Sequence, residues 1–293
     1  MTVLVLGASG LLGSNVVVTV RQRNNRVVGT YYTNHPDLDV ECHCCNLKNT
    51  GAVANLIDEH DPDLVVNCAA IADVDECERD PETAREINSD APGRIAELCD
   101  KRNVSFVHIS TDYVFDGERR HPYSEDHAPN PIQTYGRTKR AGERAVFEAN
   151  ADSLILRLSF VYGIHRSSGD LTGFPAWIRD ELRAGNEVPL FTDQYITPSR
   201  AGQVADTILD LVSIDESGLF HVACRNCVTP YQFGQEIASR ISITGNIVEG
   251  SRNDVDRTAP RPEYTCLDVD KVETILGRPQ PTLEEDLNKL TAF

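Results

Sequence analysis

The chain opens on Thr2-Val3-Leu4-Val5-Leu6-Gly7-Ala8-Ser9-Gly10-Leu11-Leu12-Gly13, an apolar run that stops at three glycines spaced three apart. An unbroken β-branched and leucine run of this length reads as a buried strand, and Leu11 to Arg23 after it has helical composition. Gly7 permits the tight turn between them, Gly10 lets backbone approach a ligand closely, and Gly13 lets the helix pack on the sheet. A helix amino terminus offers unpaired N–H groups and the positive end of its dipole, which suits a pyrophosphate. Three glycines alone also describe a purely structural turn. With a strand before and a helix after, dinucleotide binding is the better reading.

Outward from this loop, short apolar runs alternate with helical stretches. Arg26 to Tyr32, Leu64 to Asn67, Val104 to Ser110 and Leu154 to Leu158 read as strands. Thr50 to Glu59, Pro81 to Arg102 and Tyr135 to Asn150 read as helices. The alternation predicts an α/β fold, a doubly wound parallel sheet of the Rossmann type covered on both faces. Residues 1–158 form the expected cofactor domain. From 159 to 293 the pattern loosens into a smaller substrate lobe, with helices expected at Phe174 to Ala184, Ser199 to Val212 and Tyr231 to Arg240. A strand is expected at Gly218 to Val222, and the segment 199–222 is expected to return to the sheet.

Charge and cysteine usage narrow the function classes. The chain has 293 residues and carries 45 acidic against 28 basic ones, a net −17. Such a field opposes non-specific nucleic-acid binding and suits a salt-rich, halophilic cytoplasm. No apolar run is long enough to span a bilayer, and no leader pattern precedes Thr2, so a cytoplasmic location is expected. Nine cysteines are present. Cys42, Cys44 and Cys45 surround His43, while Cys224 and Cys227 form a CxxC, yet no second pair has zinc spacing. His43, on an extended segment, should point opposite to Cys42 and Cys44. Reduced thiols packed as small apolar side chains are expected, with no metal.

Tyr135-Gly136-Arg137-Thr138-Lys139 puts a phenol and an ammonium four apart on one helix face. A nearby cation favours the phenolate and lowers the Tyr135 pKa, and such a phenol can protonate a carbonyl oxygen as hydride arrives at carbon. Alone, the pair is a weak signal. Ser110-Thr111-Asp112-Tyr113-Val114-Phe115-Asp116-Gly117 follows a strand, and a hydroxyl at that strand end faces the ligand crevice of a parallel sheet. Thr111 is thus placed to hold the same oxygen, although Ser110 and Thr111 can also serve the loop's own backbone. After the second strand no acid occurs until Asp37, which removes repulsion of a 2′-phosphate and favours NADPH. No Arg follows to clamp that phosphate, which leaves NADH open.

In the order and spacing of these segments the chain resembles the extended short-chain dehydrogenases, and most closely the dTDP-4-dehydrorhamnose reductase family. The resemblance runs through Gly7 to Gly13, Asn67 to Ala70, Val74-Asp75, Asn88, Ser110 to Gly117 and Tyr135 to Glu143. It continues through Arg157 to Gly163, Asp193-Gln194, Pro198 and Arg261-Pro262. It implies Thr111, Tyr135 and Lys139 as catalytic residues. It implies cofactor contacts at Gly7, Gly10, Leu11, Leu12, Gly13, Asn46, Leu47, Cys68, Ala69 and Ala70, with Tyr135 and Lys139. Phe160 and Arg261 are the implied substrate contacts, Arg261 for phosphate. Asp193 and Gln194 are open between substrate binding and holding their own loop. The implied reaction is reduction of the C4 ketone of dTDP-4-dehydro-L-rhamnose to dTDP-L-rhamnose, and family members are often homodimers.

Two departures bear on substrate identity: Phe160 stands where many relatives carry Trp, and Gly173 where they often carry Asn. Two alternatives share the fold. One is a nucleotide-sugar epimerase or dehydratase, against which Tyr113 stands where a dehydratase would carry Glu after Asp112. The other is a non-catalytic regulatory subunit resembling the β subunit of methionine adenosyltransferase.

Overall fold

The computed structural model describes residues 1–241 and 246–290. Strands β1 (Thr2–Leu6), β2 (Arg26–Tyr31), β3 (Glu41–Cys44), β4 (Leu64–Asn67), β5 (Ser105–Thr111) and β6 (Leu154–Leu158) occupy the first half. They alternate with α1 (Leu11–Gln22), α2 (Thr50–His60), α3 (Val74–Arg79), α4 (Pro81–Arg85), α5 (Ala91–Asp100) and α6 (Thr134–Ala149). The second half begins with β7 (Val161–Ile164), β8 (Leu171–Thr172), α7 (Phe174–Arg183), β9 (Glu187–Phe191), β10 (Ser199–Arg200) and α8 (Ala201–Ser213). It continues with β11 (Gly218–His221), α9 (Pro230–Ile241), β12 (Asn246–Gly250), α10 (Asp270–Leu276) and α11 (Leu283–Leu287).

Seven parallel strands form the central sheet in the order β3-β2-β1-β4-β5-β6-β11. The doubly wound, Rossmann-type architecture follows from side-chain alternation. Val3 and Val5 of β1 join Val16 and Val20 of α1 and Val204 and Ile208 of α8 on one face. Leu4 and Leu6 join Val53 and Ile57 of α2 and Ile95 of α5 on the other. Each such fully buried aliphatic side chain contributes about 1.5–3 kcal/mol. Chain order reverses between β1 and β4, so a crevice opens at their carboxyl ends, where the glycine loop lies.

Pro81 to Arg102 is not one helix. A π-helical turn at Glu86–Asp90 separates α4 from α5. There Asn88 turns its side chain to the loop after β4, accepting from the Ile71 N–H at 2.9 Å and donating to the Ile71 carbonyl at 3.0 Å. Helical composition cannot show such a turn, because its cause is a partner seventeen residues away.

Beyond β6 a second apolar cluster forms around Tyr162, Ile178, Leu190, Phe233, Ile237 and Leu287. A three-stranded sheet, β10-β7-β8, and the parallel pair β12-β9 frame it. Of the lobe expected over 159–293, residues 242–245 and 291–293 lie outside the described residues. Among the described residues no helix is long and apolar enough to cross a membrane.

The expectation of reduced thiols throughout needs correction. Cys227 and Cys266, 39 residues apart, form a disulfide. It ties the segment before α9 to the extended segment that pairs with Tyr123 and Tyr195. Cys224, the other member of the CxxC, is buried and free. Sequence spacing pointed to the local pair, whereas the fold brings the distant cysteine alongside.

Candidate active site

The glycine loop is shaped partly by the protein and partly for something else. A Cβ at Gly13 would lie 2.1 Å from the Gly7 carbonyl oxygen, so close packing of α1 on the loop requires glycine there. Gly10 differs: a Cβ would meet only the Gly7 oxygen, at an ordinary 3.5 Å. No internal contact demands glycine at 10, and the space over it is open. Gly10 caps α1 with no side chain, which leaves the first-turn amides of Leu11 and Leu12 facing the same space. The residues therefore fit a dinucleotide pyrophosphate.

Other implied cofactor residues line the same edge. Cys68, Ala69 and Ala70 follow β4, where Asn67 holds the turn by accepting the Ala69 N–H at 3.2 Å. Asn46 and Leu47 follow β3, two strands out from β1, and are apart from the central cleft. The Leu47 side chain belongs to the core, so only its backbone is presented. A contributor missed in the sequence is the segment after β7. His165 lies 3.0 Å from the Ser9 carbonyl, Arg166 reaches Asn15 at 3.0 Å, and Ser167 accepts the Asp37 N–H at 2.7 Å. This strap crosses the glycine loop from the far half of the chain. Nothing in its composition signals it.

At the cleft centre, about 420 Å³ is enclosed between Leu11, Cys68, Thr111, Tyr135, Lys139 and Phe160. Thr111, the last residue of β5, donates to Asp112 Oδ1 at 2.9 Å, accepts the Tyr113 N–H at 3.1 Å and hydrogen-bonds Tyr135. Ser110 points away and donates to buried Glu143 at 2.6 Å. Tyr135 and Lys139 rise from the first turns of α6, whose Thr134 is clamped by Glu78 through backbone and hydroxyl at 2.6 and 2.7 Å. The three expected catalytic side chains meet at one place.

Electrostatics at this centre depart from expectation. Burial raises the Tyr135 pKa, opposed by the Thr111 hydrogen bond, so the phenol stays protonated. Lys139 does not depress it, because the ammonium turns to the Ile109 carbonyl at 2.5 Å and lies 3.4 Å from His108 Nε2. Burial brings Lys139 itself down to about 8, opposed by Glu143. Burial also lifts Asp112 to about 6, despite hydrogen bonds from Thr265, Ser159 and Thr111.

A second cavity of about 570 Å³ shares Tyr113 and Phe160 with the first and extends to Phe174, Trp177, Phe191 and Arg257. Phe160 sits there with φ +48°, a strained backbone for a residue bearing a Cβ, its ring edge-on to Phe174 at 5.2 Å. Arg261 lines the cavity, donating to Asp75 at 2.7 Å and to the Ala259 carbonyl at 3.0 Å. Arg257 stacks on Phe191 at 5.1 Å and was not singled out by sequence, since it lies in a polar run without a motif. Asp193 holds its loop, accepting from Ser251 at 2.7 Å and the Arg252 N–H at 2.9 Å. Gln194 instead lines the cavity and bonds Tyr113.

The chain is similar to known proteins in sequence and in fold. The family model described as the RmlD substrate binding domain matches residues 1–292. A probable low-salt glycan biosynthesis reductase, Agl14 of Haloferax volcanii, is 52% identical over 293 residues, covering 100% of this chain and 98% of the relative. A dTDP-4-dehydrorhamnose reductase crystal structure from Clostridium acetobutylicum superposes with TM-score 0.88 at 29% identity, covering 99% and 98% of the two chains. A Bacillus anthracis dTDP-4-dehydrorhamnose reductase crystallised with NADP superposes with TM-score 0.87 at 26% identity, covering 98% and 97%.

Proposed function

The chain belongs to the RmlD substrate binding domain family, and from that premise we propose that it is an NADPH-dependent reductase of a nucleotide-linked 4-keto sugar. The proposed reaction is reduction of the C4 ketone of dTDP-4-dehydro-L-rhamnose. Enzymes named as nucleotide-sugar reductases, one of them crystallised with NADP, support the class of reaction and the cofactor. The observation that carries the reading is the meeting of Thr111, Tyr135 and Lys139 beside the glycine loop, in a cleft continuous with an aromatic and arginine-lined cavity.

Gly7 to Gly13, with the amides of Leu11 and Leu12, would hold the cofactor's pyrophosphate, and residues 68–70 would flank it. When bound, NADPH supplies the hydride for the carbonyl carbon. Tyr135, kept protonated by burial, donates its phenolic proton to the carbonyl oxygen. Thr111 is fixed by Asp112 and the Tyr113 amide and holds that oxygen in line. Lys139, anchored on the Ile109 carbonyl, sets the positive field of the site and would reach the cofactor ribose. Phe160 and the neighbouring aromatic rings line the cavity that would take the sugar, and Arg257 and Arg261 line its part suited to the diphosphate. The lack of an acid between Tyr31 and Asp37 favours NADPH over NADH.

The test is purified protein with NADPH and dTDP-4-dehydro-L-rhamnose in high potassium chloride, following loss of reduced-nicotinamide absorbance and formation of product. Stoichiometric consumption matched by dTDP-L-rhamnose is the expected result. Conversion of the sugar nucleotide to a compound at the same oxidation level, without net NADPH loss, would point to an epimerase or dehydratase. Tight NADPH binding with no turnover on any 4-keto sugar nucleotide would overturn the catalytic reading in favour of a regulatory subunit.

A further inference from the structure

The polar edge of the sheet, far from the cleft, carries a second piece of chemistry. On β3 the side chains alternate: Cys42 packs toward Gly29, while Glu41 and His43 share the opposite face. His60, the last residue of α2, covers that face and is buried. His60 Nε2 lies 3.2 Å from His43 Nε2, His43 Nε2 lies 3.1 Å from Glu41 Oε1, and His60 Nε2 lies 3.9 Å from the same oxygen. Three donor atoms from two elements thus converge within 4.8 Å of one another.

We propose that Glu41, His43 and His60 bind a divalent cation of the zinc class, joining edge strand β3 to the end of α2. Metal–nitrogen distances of ~2.0–2.1 Å in a tetrahedron place neighbouring ligand atoms about 3.3 Å apart, which is the scale of this triangle. Two imidazoles and one carboxylate suit zinc, cobalt or nickel and are a poor set for magnesium or calcium. His60 sits at the carboxyl end of α2, where the negative end of the helix dipole favours a cation. A fourth position stays open to water on the solvent side, where Glu41 and His43 are partly exposed. Among the described residues Arg26 is the opposing group in contact, 3.5 Å from His60 Nδ1 and 3.7 Å from Glu41. Its side chain is 57% exposed and free to swing outward. The ion closes a loop from β3 to the end of α2 that contains Asn46 and Leu47, so its role is to brace this edge.

The whole chain, stripped with a chelator, is titrated with Zn²⁺ by calorimetry and with Co²⁺ by visible absorption. One tight equivalent is expected, with Co²⁺ bands of a nitrogen- and oxygen-ligated ion and a higher melting temperature on Zn²⁺ addition. His43→Asn, at a half-exposed position where folding should persist, is expected to lower affinity at least ~10–100-fold, the loss seen even for outer-shell partners. It should also abolish the melting shift. Glu41→Gln should weaken binding in the same direction, and Cys44→Ser should leave it unchanged. Absence of a tight equivalent in the wild type, showing a hydrogen-bonded cluster only, overturns the site. Equal binding by wild type and His43→Asn, or loss of binding in Cys44→Ser, overturns it as well.

Discussion

The two walls of the cleft are held in different ways. The sheet wall fixes Thr111, Tyr135 and Lys139 through buried charge pairs and backbone acceptors that scarcely meet solvent. Beneath it, Arg157 and Glu143, at 1% and 0% side-chain exposure, pair bidentately at 2.7 and 2.8 Å, and Ser110 and Arg140 complete the carboxylate. The lobe wall is made of ring contacts and of arginines on loops, with Phe160 in a strained conformation. One wall is built to keep a geometry, and the other to meet a particular molecule. Chemistry should therefore fail by replacing atoms on the first wall, and selectivity should change by altering the second.

The largest effect is expected from Tyr135→Phe. Losing the proton donor should reduce kcat by about 10²–10⁴-fold, the range for a positioned general acid, with melting temperature and NADPH binding retained. Retained turnover would mean that the proton comes from elsewhere. Next is Arg157→Leu, which leaves Glu143 buried with only Ser110 and the half-exposed Arg140. Breaking a buried pair from one side costs about 3–5 kcal/mol, measurable by denaturant unfolding. The double change with Glu143→Gln should recover part of this, because no uncompensated charge then remains. If the single change costs no more than a surface substitution, the sheet wall is not held as described.

The third prediction concerns pH. Burial places the folded Lys139 pKa at about 8, below its ordinary 10.5. The ammonium is then lost as pH rises through about 8, and kcat/KM should fall above that point by ~10-fold per unit. Stability runs the other way. Below pH 8 the folded state bears the cost of a buried ammonium, and that cost disappears between pH 8 and 10.5 as the unfolded chain alone stays protonated. Lys139→Met should therefore melt no lower than wild type at pH 7 while losing activity. A lower melting temperature for Lys139→Met at pH 7 would show that the buried charge stabilises the site.

The difference between the walls also explains what could be read in advance. β4 and β6 match the sequence reading residue for residue, because fully buried parallel strands read as nearly continuous apolar runs, interrupted here only by Arg157 and by Asn67 at the end of β4. That Thr111, Tyr135 and Lys139 meet at one cavity was legible because each sits on a regular element with a fixed spacing. Edge strand β3, Glu41–Cys44, was legible only as an extended segment, with His43 opposite to Cys42 and Cys44, and not as a strand of the sheet, since alternating polar residues on an edge carry no apolar run. Nor could Glu41 and His43 announce His60, which arrives by folding of α2. The strap from His165 to Ser167, the Cys227–Cys266 bridge and the Asp75–Arg261 pair at a separation of 186 residues are all tertiary events. Their residue types were in view, but their partners were not.

The smallest predicted effect is the sharpest test of the lobe wall. Phe160 keeps φ +48° on a segment between β6 and β7, and its ring faces both cavities. Replacing it with Gly would relax the backbone and remove the ring together, so the two consequences would be mixed. Phe160→Ala retains a Cβ and hence the backbone constraint, and removes the ring alone. The ring packs on Phe174 and Phe233, whereas Thr111 is anchored by Asp112 and the Tyr113 amide and Lys139 by the Ile109 carbonyl, so kcat should change by no more than about threefold. KM for the sugar nucleotide should rise about tenfold, the loss of one stacked aromatic contact worth ~1 kcal/mol or slightly more. A fall in kcat with unchanged KM would place the ring in the chemistry rather than in recognition. The division between a wall that reacts and a wall that selects would then be wrong at the point where the two cavities join.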